Sequence, residues 1–96
     1  MSESGDKYLN HQRLLEESET FPHVYVFKWV GRNSEAFGKA LENLESRFTG
    51  LSKQSDRLSS GGAHRAVTYS FRAENAGQII EILRASEGLA DLLMTL

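Results

Sequence analysis

Two stretches of the chain alternate bulky apolar side chains with small or polar ones: Val24-Tyr25-Val26-Phe27-Lys28-Trp29-Val30 and Ala66-Val67-Thr68-Tyr69-Ser70-Phe71-Arg72-Ala73. Successive side chains of a strand point to opposite faces, so each stretch predicts a strand with one aromatic face. After the first, Gly31-Arg32-Asn33-Ser34 breaks the alternation, and the period changes. Phe37, Ala40, Leu41, Leu44 and Phe48 recur at steps of three and four, which predicts a helix over 35–48 capped by Asn33 or Ser34.

The polar run Leu51 to Ser60, with Lys53, Asp56 and Arg57, fits only an edge strand or a loop, because edge strands tolerate charge. Gly61-Gly62 is a two-residue turn signal leading into a strand over 63–73. Asn75 with Gln78 makes a capping box for a second helix through Ser86, with Ile79, Ile82 and Leu83 inward and Gly88 ending it. A short strand over 90–96 closes the chain. The first twenty residues read as a tail, with Met1 to Lys7 disordered and a short helix ended by Phe21-Pro22.

The order β-α-β-β-α-β predicts an α+β fold: a ferredoxin-like sandwich of a four-stranded antiparallel sheet, order 4-1-3-2, with two helices on one face. Tyr25, Phe27, Trp29, Val67, Tyr69, Phe71, Leu92, Met94 and Leu96 supply the bulk that the helix stripes need, and are assigned inward. The other face then carries Val24, Val26, Lys28, Val30, Ala66, Thr68, Ser70 and Arg72. With Leu93 added, its apolar strip exceeds what a monomer usually leaves in water. The strip predicts a homodimer through the open sheet face, with Val24, Val26, Lys28, Val30, Thr68 and Arg72 as interface candidates. The competing cover is the amino-terminal segment, laid across by Leu9, Leu14 and Leu15.

Ninety-six residues support one domain, expected over 21–96 after the tail. The charge of -2 gives no overall attraction to nucleic acid or anionic lipid. No apolar run is long enough to span a bilayer. Zero cysteines exclude disulfides and thiolate chemistry and fit a cytoplasmic bacterial-type protein.

Phe21-Pro22, the strand ending Phe27-Lys28-Trp29-Val30-Gly31, the Ser59-Ser60 and Gly62 turn, Val67-Thr68 and the closing Met94-Thr95-Leu96 together resemble the YbeD-like family of small uncharacterised bacterial proteins. The likeness runs from about Leu14 to the carboxyl terminus. It departs from the family pattern at Gly61, where a lysine is common, and at Ala63-His64, where a polar residue and a tyrosine are common. The resemblance implies a fold similar to ACT regulatory domains, small dimerising modules that bind amino acids, and no catalytic residue.

His11, His23 and His64 are too scattered for a metal site, and Ser59-Ser60 beside Gly61-Gly62 forms a turn with no base placed to activate a serine. No catalytic residue, metal or cofactor is expected. Gly31, Arg32, Asn33 and Ser34 are the ligand-binding candidates. Free N–H groups at a helix start beside an arginine make a generic anion site, and in ACT-like domains the corresponding loop helps form the ligand site. The expected function is that of a small non-enzymatic regulatory or partner-binding module, sensing a small metabolite through that loop. An RNA-binding module is the alternative; it would need stacking residues and a positive groove on the open face, where only Lys28, Arg72 and His64 supply charge. An acylphosphatase-like hydrolase comes third, because Gly31-Arg32-Asn33 is short for a phosphate cradle.

Overall fold

The computed structural model describes residues 7–96. Strand β1 (His23–Arg32) pairs antiparallel with β3 (His64–Ala73) without interruption, from His23 opposite Ala73 to Arg32 opposite His64. On the far side of β3 lies β2 (Ser52–Leu58), and on the far side of β1 lies β4 (Leu92–Thr95). The sheet order is β2-β3-β1-β4, which read from the β4 edge is 4-1-3-2. Three helices complete this α+β fold: α1 (Lys7–Ser18), α2 (Glu35–Arg47) and α3 (Ala76–Ser86).

The aromatic face of the two central strands is the floor of the core. Phe27, Trp29, Val67 and Tyr69 are buried with Phe37, Leu41 and Leu44 of α2 and Ile79, Ile82 and Leu83 of α3. The Trp29 ring stacks on Phe27, with centroids 5.3 Å apart, and tilts against Tyr69 at 5.6 Å. Tyr25 and Phe71 share this face and stand opposite each other in register, but both are only half-buried. The helices are anchored by their predicted caps. Ser34 accepts from the Phe37 N–H at 3.1 Å, and Asn75 accepts from the Gln78 N–H at 3.1 Å. The reciprocal arm of the second cap reaches one residue further than a capping box requires: Gln78 accepts from Glu74 N–H at 2.7 Å.

Several expectations are corrected. Met94 and Leu96 do not face the helices. Leu92 stands opposite Gly31 on the core side, yet Met94, two residues on, stands opposite the next β1 residue, Val30. Leu93 is therefore the extra residue of a bulge, which turns Met94 onto the open face; Leu96, whose N–H bonds Lys28 C=O at 2.9 Å, follows it there. Both are exposed. The β2–β3 connection is longer than a two-residue turn: Ser59 N–H bonds His64 C=O, Gly62 N–H bonds Ser59 C=O, and Gly62 takes φ +77°.

The short helix expected before Phe21-Pro22 is present as α1, and it is docked on the domain rather than trailing from it. It packs on α3, Leu15 enters the core and Tyr8 hydrogen-bonds Glu87, while Lys7 pairs with the same carboxylate at 2.8 Å. This places α1 in the helical layer, away from the open face, so Leu9, Leu14 and Leu15 do not cover the sheet; Leu9 and Leu14 are exposed. The expected disorder of Met1 to Lys7 lies outside the described residues except for Lys7, the first residue of α1.

Candidate functional site

The four ligand-binding candidates come together at one corner of the molecule, but two of them belong to β1: Gly31 and Arg32 are strand residues. Gly31 is there because α2 passes close. A Cβ on Gly31 would lie 2.7 Å from the Phe37 ring. Asn33 ties the corner to the β2–β3 connection, its N–H bonding Ala63 C=O at 3.0 Å and its side-chain amide bonding Gly62 C=O at 2.9 Å. Ser34 ties it to the loop before β4: while capping α2, its hydroxyl donates to the Asp91 carboxylate at 2.6 Å. Arg32 N–H bonds Asp91 C=O at 3.0 Å, and Asp91 holds the left-handed φ of +63°.

Electrostatically, the Asp91 carboxylate stands beside the α2 amino terminus, where a bound anion would be stabilised by the helix dipole. The chain thus supplies its own anion. The Arg32 side chain is exposed. Sequence reasoning missed Asp91 because it lies 57 residues from Ser34. A non-glycine residue next to the Gly-Leu-Ala turn carried no local signal of a positive φ.

A second polar cluster lies under α2 on the helix side of β2 and β3. Arg65 grips Asp56 with both forks, Nε to Oδ1 at 2.8 Å and Nη2 to Oδ2 at 2.6 Å, and Lys53 adds a third contact at 3.0 Å. The Arg65 hydrogen bonds, with Lys53, hold the Asp56 carboxyl well below the usual carboxylate range. Beside it the Tyr69 hydroxyl donates to Glu45, and burial pushes that phenol up, reinforced by the neighbouring carboxylate. The cluster sets two cationic side chains, Arg65 and Lys53, against two carboxylates, Asp56 and Glu45.

An open cleft of about 340 Å³ lies between the end of α2, the end of β3 and the start of α3. Phe48 and Phe71 line it, and Arg47, Arg72, Glu74 and Glu81 surround it with charge of both signs. Arg72 is already paired with Glu74 at 2.7 Å. The expected core position of Phe71 hid this cleft from the sequence.

The histidines remain apart. His23 faces Glu19 at 3.6 Å, and His64 is exposed at the start of β3. Among the described residues no group of three His, Cys, Asp or Glu side chains is arranged to hold a metal ion, and no helix is long and apolar enough to cross a membrane.

The open sheet face is divided lengthwise. On the β2–β3 half, Ser52 stands opposite Ser70 and Ser55 opposite Thr68, with the Gln54 amide donating to Ser70 Oγ at 3.0 Å. On the β1–β4 half, Val24, Val26, Val30, Met94 and Leu96 form an apolar strip interrupted by Lys28. Val24 is 57% exposed and Val26 48%. Of the six interface candidates, Val24, Val26, Lys28 and Val30 lie on the strip's own strand, whereas Thr68 and Arg72 belong to the neighbouring strand at its polar border. Met94 and Leu96 join the strip only because of the β4 bulge, which alternation alone does not reveal.

No curated protein and no solved structure matches the chain. A family model does, and it spans the same part of the chain as the YbeD-like resemblance. Its match covers residues 16–96, so the chain belongs to the family described as Protein of unknown function (DUF493).

Proposed function

We propose that this chain is a small non-enzymatic regulatory or partner-binding module with a ferredoxin-like, ACT-like architecture. In this reading it works in the cytoplasm as a homodimer through its open sheet face. The observation that carries the reading is the strip of Val24, Val26, Val30, Met94 and Leu96, which lies on the sheet face opposite the buried core. Solvent-facing apolar side chains gathered on one face, here broken only by Lys28, are the usual mark of an interaction surface. Metabolite sensing, in the ACT-like manner, belongs to the Gly31 to Ser34 corner. There the exposed Arg32 is the group free to meet a ligand, because Asn33 and Ser34 are committed to Gly62 and Asp91.

Light scattering coupled to gel filtration tests the reading. The wild type should elute with the mass of two chains. Val26→Asp should elute as a folded monomer, since a twofold contact would bury two carboxylates close together. A wild-type protein that stays monomeric at high concentration overturns it.

A further inference from the structure

The strip ends at an edge that the fold leaves open. Strand β1 has ten residues, but β4 pairs only with Trp29, Val30 and Gly31, and the Leu96 N–H adds one bond at Lys28. Below Lys28 no strand among the described residues pairs with this side of β1. The direction of the backbone groups follows from two bonds: Leu96 N–H to Lys28 C=O, and Arg32 N–H to Asp91 C=O. Backbone groups alternate sides along a strand, so even-numbered β1 residues direct N–H and C=O toward β4 and odd-numbered ones toward β3. The β1–β3 register runs without a bulge, so the alternation holds to the strand's start. Val24 and Val26 therefore present two N–H and two C=O groups outward, and no strand among the described residues receives them.

Between Pro22 and Lys28, which bound it, the free part of this edge carries none of the devices by which proteins discourage strand addition. No proline, charged side chain or bulge lies between His23 and Lys28. The residues there are Val24-Tyr25-Val26-Phe27.

We propose that a second copy of the chain adds to this edge, β1 against β1, antiparallel about a twofold axis at Tyr25. The inference rests on the homodimer reading above and places the contact at the strand edge. With Val24 of one copy opposite Val26 of the other, each pair exchanges two N–H to C=O bonds, and all four outward groups of each copy are satisfied. The register one residue pair further along, with Val26 opposite Val26, would set Val24 against Lys28, whose C=O Leu96 already occupies. In the chosen register the pairing ends before Lys28, because Pro22, the residue that would come opposite it, precedes β1 and has no N–H to donate. The same register joins the two apolar strips side by side on the open face through Val24–Val26 cross-strand pairs. On the other face it brings the two half-buried Tyr25 side chains opposite each other. The result is one eight-stranded sheet with a continuous apolar centre.

Residue-resolved hydrogen exchange and light scattering, both over a concentration series, test this together with Val26→Pro. That substitution removes one outward N–H and no bond to β3, and it keeps an apolar side chain on the face. The expected result is a dimer in which the Val24 and Val26 amides become protected as concentration rises, and whose dissociation constant rises by roughly tenfold or more in Val26→Pro. If Val26→Pro does not fold, the wild-type amides decide alone. A wild-type dimer whose two amides exchange as freely as in the monomer overturns the edge contact and leaves the face reading standing. A wild type that is monomeric throughout overturns both.

Discussion

The Ser34 hydroxyl donates to the Asp91 carboxylate at 2.6 Å while accepting from the Phe37 N–H at 3.1 Å, so one side chain both starts α2 and holds the loop that leads into β4. The loss of Ser34 removes two restraints with one substitution. Ser34→Ala should cost about 1 to 2 kcal/mol in urea unfolding, the range for a lost helix cap. A double-mutant cycle with Asp91→Gly, which suits the positive φ and removes the carboxylate, should return a coupling of roughly 0.5 to 1.5 kcal/mol. Additive effects would show that the two groups act independently.

Gly31 sits against the Phe37 ring with no space for a methyl group. Gly31→Ala should destabilise by about 1 to 3 kcal/mol through overpacking. Phe37→Leu should recover part of that loss in the double variant, even though alone it is destabilising. A neutral Gly31→Ala would mean that α2 moves away from β1 easily.

The helix stripes, the caps, the paired central strands and the inward aromatics were legible because each is a local pattern of period two or three to four, which burial on one face enforces. The β4 bulge was not legible. Strict alternation puts Leu92, Met94 and Leu96 together on one face, and with apolar Leu93 between them nothing in the residue types marks an extra residue in the strand. The docking of α1 was hidden for a different reason: a single residue, Leu15, carries its burial, and one leucine makes no periodic stripe. At the candidate corner the glycine and the caps could be read. The contacts that bind it to Gly62 and Asp91 could not, since they join residues 29 and 57 positions apart.

Acid should weaken the protein partly through Asp56. Its folded pKa is lowered, chiefly by the Arg65 hydrogen bonds, so its contribution is complete above the unfolded value near ~4 and is lost as pH falls through the folded value. The Asp56 and Arg65 side chains are 30% and 21% exposed, and solvent screening limits the contribution to about 1 kcal/mol. Asp56→Asn should therefore be less stable than wild type at pH 7, and the gap should narrow at pH 3. A gap of the same size at both values would assign the effect to packing.

Phe27 and Phe71 lie on the same face of the sheet, but Phe27 is 2% exposed and Phe71 lines the open cleft. Phe27→Ala should cost on the order of 3 to 5 kcal/mol, as for a fully enclosed ring. Phe71→Ala leaves less of a cavity, and its cost should be clearly smaller in the same denaturant series. Equal losses would mean that the cleft is closed in solution.

Leu14 and Leu15 are neighbours on α1 with opposite surroundings: Leu14 is 53% exposed, and Leu15, 8% exposed, is enclosed in the core beneath a helix that packs on α3. A helix docked in this way gains its stability from the enclosed residue, because twelve residues alone are marginal in water. Leu15→Ala should then cost about 2 to 3 kcal/mol, while Leu14→Ala should stay within about 0.5 kcal/mol of wild type. Were α1 instead laid over the open face, Leu14 would be covered along with Leu15, and both substitutions would expose the Val24 and Val26 strip. The urea midpoints of the two variants, measured side by side, separate these arrangements: only docking on α3 lets one leucine matter and its neighbour not.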